Sequence, residues 1–123
     1  MANEKEMNEA LDHFHSEVPG FIAASLVDLD SGMTLAVRSN RADFDLAVAS
    51  AYNSELVKQK QKIMKALNLK THLEDVILTL GDQIHFIKLV SPTMFIYLAA
   101  ERASSNIAIV RTVVNKHSKS LST

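Results

Sequence analysis

The sequence contains no cysteine. Disulfides, thiolate catalysis and cysteine-ligated zinc or iron–sulfur centres are therefore excluded. The fold must be held by an ordinary core, and the composition suits a reducing cytoplasm, the expected location. Charge of one sign is also lacking: 13 Lys and Arg stand against 14 Asp and Glu, a formal net charge of -1. A chain this close to neutral has no broad positive field, so nucleic acid is not an expected partner. No apolar run approaches a membrane span; the longest, Phe21–Val27 and Met94–Ala100, are far too short. Glu4, Lys5 and Glu6 stand close to Met1, which does not suit a signal peptide. Only three glycines and two prolines punctuate 123 residues, so each break carries information. What remains is ordinary globular material, 47% hydrophobic and 22% charged, enough for one domain over 1–123.

The breaks divide the chain. Pro19-Gly20 separates a first segment from an apolar run; Asp30-Ser31-Gly32 and Gly81-Asp82 read as hairpin turns, and Ser91-Pro92 breaks a third pair. Residues 3–17 read as a helix with Asn3 as N-cap, Glu6 completing a capping box, and Met7, Leu11 and Phe14 as its stripe. Residues 21–28 and 94–100 are apolar on both alternating faces, which requires cover on both sides; they are the expected central strands. Residues 33–38 suit a place nearer an edge, and 74–80 with 83–89 form another hairpin. Residues 43–68 lack Gly and Pro and read as a long helix opened by Asp43 and Asp45. The last helix spans 104–119, capped by Ser104 or Ser105, with Ile107, Val110 and Val114 inward. The fold class expected is α+β: a three-layer α-β-α sandwich around a five-stranded, mainly antiparallel sheet.

At 1.5 Å per residue the long helix would run roughly 39 Å, while five strands at about 4.8 Å spacing make a sheet about 20–24 Å across. Such a helix overhangs its sheet. The small residues Ala47, Ala51 and Ser54 on its first half permit close approach of a twofold partner helix, so a homodimer is expected.

The segment Pro19–Asp28 with Asp30-Ser31-Gly32, the Ala-rich start of the long helix, and the closing Ala103-Ser104-Ser105-Asn106-Ile107-Ala108-Ile109-Val110-Arg111 resemble the roadblock/LC7 (dynein light chain) family, which includes the bacterial MglB-like proteins. The resemblance runs from Pro19 to about Lys116. Ala108 stands where the family often has Gly, and Lys58-Gln59-Lys60-Gln61-Lys62 is more polar than in many relatives. The resemblance implies a profilin-like sandwich and dimers through the long helix and the third strand, here around Val76 and Leu78. It also implies a platform for a Ras-like small GTPase, in some bacterial members one that stimulates GTP hydrolysis, or an adaptor in a larger complex. The partner surface is then expected at Glu55, Lys58, Gln59 and Lys62 on the paired helices.

Other constellations are weaker. Asp28 and Asp30 suit a turn cap better than a Mg²⁺ cage, which needs more ligands. His13 and His15, two apart on a helix, diverge, and His72, His85 and His117 have no motif partner. No nucleophile elbow or glycine-rich phosphate loop is present, so no catalytic residue, metal or cofactor is expected. Arg41 before the long helix could stabilise transition-state charge in a partner, but reads first as a solvated cation. Lys58, Lys62 and Lys65 share a helical face, either solvated or steering a partner. Two further readings are a structural adaptor without effect on a nucleotide cycle and a small-ligand sensor. The sensor would require Ser25, Tyr97 and His85 to meet around one cavity.

Overall fold

The computed structural model of the chain describes residues 2–121. Asn3 caps the first helix, α1 (Glu4–Glu17), in the expected reciprocal box with Glu6. Strands β1 (Phe21–Asp28) and β2 (Thr34–Ser39) follow, then helix α2 (Leu46–Ala66), strands β3 (Asp75–Thr79), β4 (Gln83–Ser91) and β5 (Met94–Glu101), and helix α3 (Ile107–Ser118). A short 3-10 turn spans Lys119–Leu121. The strand order is β2-β1-β5-β4-β3 and every neighbouring pair is antiparallel. The doubly apolar strands β1 and β5 are the central neighbours, as their two-sided hydrophobicity requires.

Each face has its own core. On one, Leu11 and Phe14 of α1 and Val110 and Val114 of α3 pack against Leu26, Phe86, Ile96 and Leu98. On the other, Leu46 and Val57 of α2 meet Ile22, Val27, Ile87, Phe95 and Tyr97. This is the expected three-layer sandwich. Arg111, the last residue of the closing motif, fixes α3 to the sheet: it pairs with Asp75 of β3 at 3.2 Å and lies 5.9 Å over the Phe86 ring.

Two helix boundaries differ from expectation. Helix α2 starts at Leu46, not 43, because Asp45 is its cap and accepts from the Val48 N–H, while Asp43 turns back to Arg41. It ends at Ala66, and Asn68 breaks the chain direction with φ 59°. The helix is thus 21 residues, about 31 Å rather than 39 Å. Helix α3 is capped by Asn106, whose side chain accepts from Ile109 N–H, not by Ser104 or Ser105. An Asx carboxamide reaches the third N–H as well as a serine does, and only the backbone decides between neighbours. The Pro19-Gly20 turn is tight against the start of that loop: Gly20 has φ 70°, and a Cβ there would lie 2.8 Å from the Ser104 Cβ.

Candidate functional site

Helix α2 is buried along one line only. Leu46, Ser50, Ser54 and Val57 recur at helical spacing, and from Lys58 onward no residue is buried. The helix packs chiefly on β1 and β2 and leaves the β4–β3 side of that face thinly covered. Two serines at the contact allow a close approach, and both are satisfied: Ser54 Oγ donates to the Ser50 carbonyl at 2.8 Å, and Ser50 Oγ accepts from Thr34 Oγ1 at 2.8 Å. Gly32, at φ 74°, brings the β1–β2 turn against Ala51 and Ser54. Ser54 therefore packs inside its own chain, 2% exposed, rather than lying open on the helix surface as expected of a dimer seam. Ala47 and Ala51 remain exposed, and Val76 and Leu78 are half-buried at the β3 edge, against the α2-side core.

The outer surface of α2 carries an apolar stripe among polar residues. Val48, Tyr52, Leu56 and Ile63 are 49%, 75%, 38% and 41% exposed. Their spacing of four, four and seven puts them on one stripe opposite the buried line. A stripe of this kind is more than scattered surface hydrophobes. The sequence carries it at 48, 52 and 56, beside the small residues Ala47 and Ala51. The β2 edge of the sheet also presents apolar residues: Met33, just before the strand, and Leu35 and Val37 within it are exposed.

The polar residues expected at a partner surface divide. Glu55, Gln59 and Lys62 are exposed, whereas Lys58 is half-buried, its ammonium donating to the Asp30 carbonyl at 3.0 Å. Lys58, Lys62 and Lys65 do share a face: all three line a cavity of about 990 Å³ beside the C-terminal half of α2, with His72, Lys88 and Glu74. Asp28 is a turn cap. Its Oδ2 accepts from the Ser31 hydroxyl at 2.6 Å and the Ser31 N–H at 3.0 Å. Those bonds hold its carboxyl below the usual range against a small opposing effect of burial, with help from Lys58.

All four arginines are engaged. Arg41 grips Asp43 through Nε and Nη2, which raises its own pKa and lowers that of Asp43. Arg38 pairs with Asp12 at 2.9 Å, Arg111 with Asp75, and Arg102 donates to the Leu80 carbonyl. On the α2 side of the sheet, Tyr97 Oη and His85 Nδ1 are 3.1 Å apart, and His85 Nε2 is 2.7 Å from Gln83 Oε1. Burial lowers the pKa of His85, with Asp82 opposing, and pushes Tyr97 up to about 12. Ser25 stands opposite Tyr97 in the β1–β5 register, its hydroxyl buried without a partner. Phe44 lies against both rings, and none of the three residues lines any of the described cavities. The meeting point that a ligand sensor would require is packed.

No described helix is long and apolar enough to cross a membrane. No family model matches the chain, and no curated protein does. Solved structures do. MglB of Myxococcus xanthus superposes with a TM-score of 0.87 at 12% identity, over 98% of this chain and 95% of that one. An MglB with tetrameric arrangement gives 0.85 at 13%, over 99% and 90%. A roadblock/LC7 domain from Streptomyces avermitilis gives 0.79 at 16%, over 98% and 95%. Matches of this extent across two independent sandwich faces leave one conclusion about architecture: the chain has the roadblock/LC7 fold.

Proposed function

We propose that the protein is a homodimeric interaction module of the cytoplasm that binds a Ras-like small GTPase and regulates its nucleotide cycle, with no active site of its own. The observation that carries this reading is the exposed apolar stripe Val48–Tyr52–Leu56–Ile63 on α2, on a fold it shares with MglB. Pairing two such helices about a twofold axis would cover the stripe and set Val76 and Leu78 near the seam, with Ala47 and Ala51 flanking it. The paired helices would then present Glu55 and Lys62 as the polar surface for the GTPase, while Gln59, three after Leu56 and four before Ile63, falls at the covered stripe. Lys58 contributes through the β1–β2 turn it holds.

The arginines bear on mechanism. A stimulator of hydrolysis either inserts a cation or orders groups the GTPase already has. Each arginine here is held by a carboxylate or a carbonyl, which favours ordering. The tetrameric arrangement of an MglB neighbour supports a further tendency to associate.

The test is to mix the protein with a candidate Ras-like GTPase and follow complex formation, nucleotide exchange and GTP hydrolysis together. A complex with altered turnover is expected. A complex without altered turnover identifies a structural adaptor, and the absence of any complex removes the proposal.

A further inference from the structure

Away from α2, on the face that carries α1 and α3, three metal-ligating side chains converge. His13 and Glu17 are one turn apart on α1 and share a face. His117 enters from the last turn of α3, which packs on α1. His13 Nδ1 lies 3.1 Å, and His117 Nε2 2.7 Å, from the same Glu17 Oε2. The two imidazoles stack with centroids 4.0 Å apart and planes 1° from parallel. One ligand atom from each of the three residues lies within 4.8 Å of the other two. Spacing hides this: the histidine near His13 in sequence is His15, whereas its neighbour in space is 104 positions away.

We infer that His13, Glu17 and His117 form a binding site for a divalent transition metal of the zinc type. Two imidazole nitrogens and one carboxylate are zinc's ordinary donors, while Mg²⁺ and Ca²⁺ require oxygen. Zinc–nitrogen bonds of about 2.0–2.1 Å in a tetrahedral site place donors roughly 3.3 Å apart. The His13 separation from Glu17, 3.1 Å, is already near that value, and the His117 separation, 2.7 Å, has to widen. The two nitrogens close up, and the rings splay out of their parallel stack so that both lone pairs meet at one point. His13, with half its side chain exposed, has room to turn, while His117, 13% exposed, is the anchor. The metal takes the lone pair of the nitrogen facing Glu17 on each ring, so each neutral imidazole carries its hydrogen on the other nitrogen. Lys116 Nζ, 3.8 Å from Glu17 Oε1, opposes the cation, but its side chain is two-thirds exposed and swings into solvent. Three protein ligands leave a further position for water. The bound ion would tie the end of α1 to the end of α3.

The test uses the full chain and Zn²⁺ alone. Calorimetric titration is expected to show one ion per chain. His13→Gln and Glu17→Gln should each weaken binding about tenfold or more, and His15→Gln and His72→Gln should leave it unchanged. Saturating Zn²⁺ should raise the melting temperature of the parent protein and not of the two ligand variants. Their metal-free melting temperatures report that they fold. In NMR spectra, the imidazole signals of His13 and His117 should move first. The inference is overturned by binding no tighter than millimolar, by binding that survives both ligand substitutions, or by first shifts at other histidines.

Discussion

Replacing Tyr52 with alanine is expected to separate the proposed dimer without unfolding the protomer. Tyr52 is 75% exposed and projects from the outer side of α2. A tyrosine presents roughly 200 Å², so about 150 Å² lies open, which at about 25 cal/mol per Å² gives about 4 kcal/mol for complete cover. Interfaces recover only part of such area because association orders side chains and desolvates polar groups; about 2 kcal/mol per copy is a realistic yield. A twofold interface contains the residue twice, so Tyr52→Ala should weaken association by about 4 kcal/mol, roughly a thousandfold in Kd. The protomer should change by no more than about 0.5 kcal/mol, since an exposed side chain away from caps and cores contributes little to folding. Sedimentation velocity over a dilution series measures the first quantity, and denaturant unfolding of the dilute variant the second. A parent protein that sediments as a single chain at every concentration refutes the reasoning. So does a variant that associates as tightly as its parent.

Alanine at the three glycines should rank by local geometry: Gly81→Ala near neutral in open space, Gly32→Ala destabilising by about 1 kcal/mol from positive φ alone, and Gly20→Ala by about 2 kcal/mol or more from positive φ plus a 2.8 Å clash, all read from urea midpoints. Ser25→Ala should leave stability unchanged or raise it by about 1 kcal/mol, because the hydroxyl is buried without a partner; a loss above that size in thermal unfolding would contradict this. His85 is lowered from its ordinary 6.5 mainly by burial. The unfolded chain therefore takes up the proton first, so this contribution is full above 6.5 and is lost as pH falls through the folded value; His85→Gln should flatten that part of the stability–pH curve.

What was legible in the sequence was local or two-sided. The Asn3–Glu6 box is a contact between residues three apart, and it forms as read. Strands β1 and β5 are apolar on both faces, and no position other than the middle of a covered sheet accommodates that. Helix ends were less secure where polar residues crowd. Asp43 and Asp45 both suit a first turn, and the choice rests on Arg41, which recruits one of them. Ser104, Ser105 and Asn106 are all competent caps, and the approach of Gly20 to Ser104 belongs to tertiary structure. The candidate surface was legible in outline, since the apolar positions at 48, 52 and 56 are visible in the string. Which side of α2 the sheet would occupy was not, because both sides carry small or apolar residues. The convergence of His13 with His117 depends on how two helices cross and leaves no trace in spacing.

Ser54 distinguishes the two roles that a small residue on α2 can have. A small residue lets another backbone come close, and the sequence alone does not say whose. Here the near backbone is the chain's own: Gly32 seats the β1–β2 turn against Ser54 and Ala51, and Lys58 one turn on binds the Asp30 carbonyl of the same turn. A leucine at 54 would have to fit where a Gly32 Cβ would already lie within 3.7 Å of the serine Cβ. Overpacking of this kind costs about 1–3 kcal/mol, and the lost Ser54–Ser50 bond adds to it. Ser54→Leu should therefore lower the stability of the dilute protomer by about 2 kcal/mol or more, with association weakened only through that loss. If the serine instead faced a second copy, the substitution would leave the dilute protomer intact and change only the association constant. Denaturation and sedimentation of this one variant decide whose backbone the serine serves.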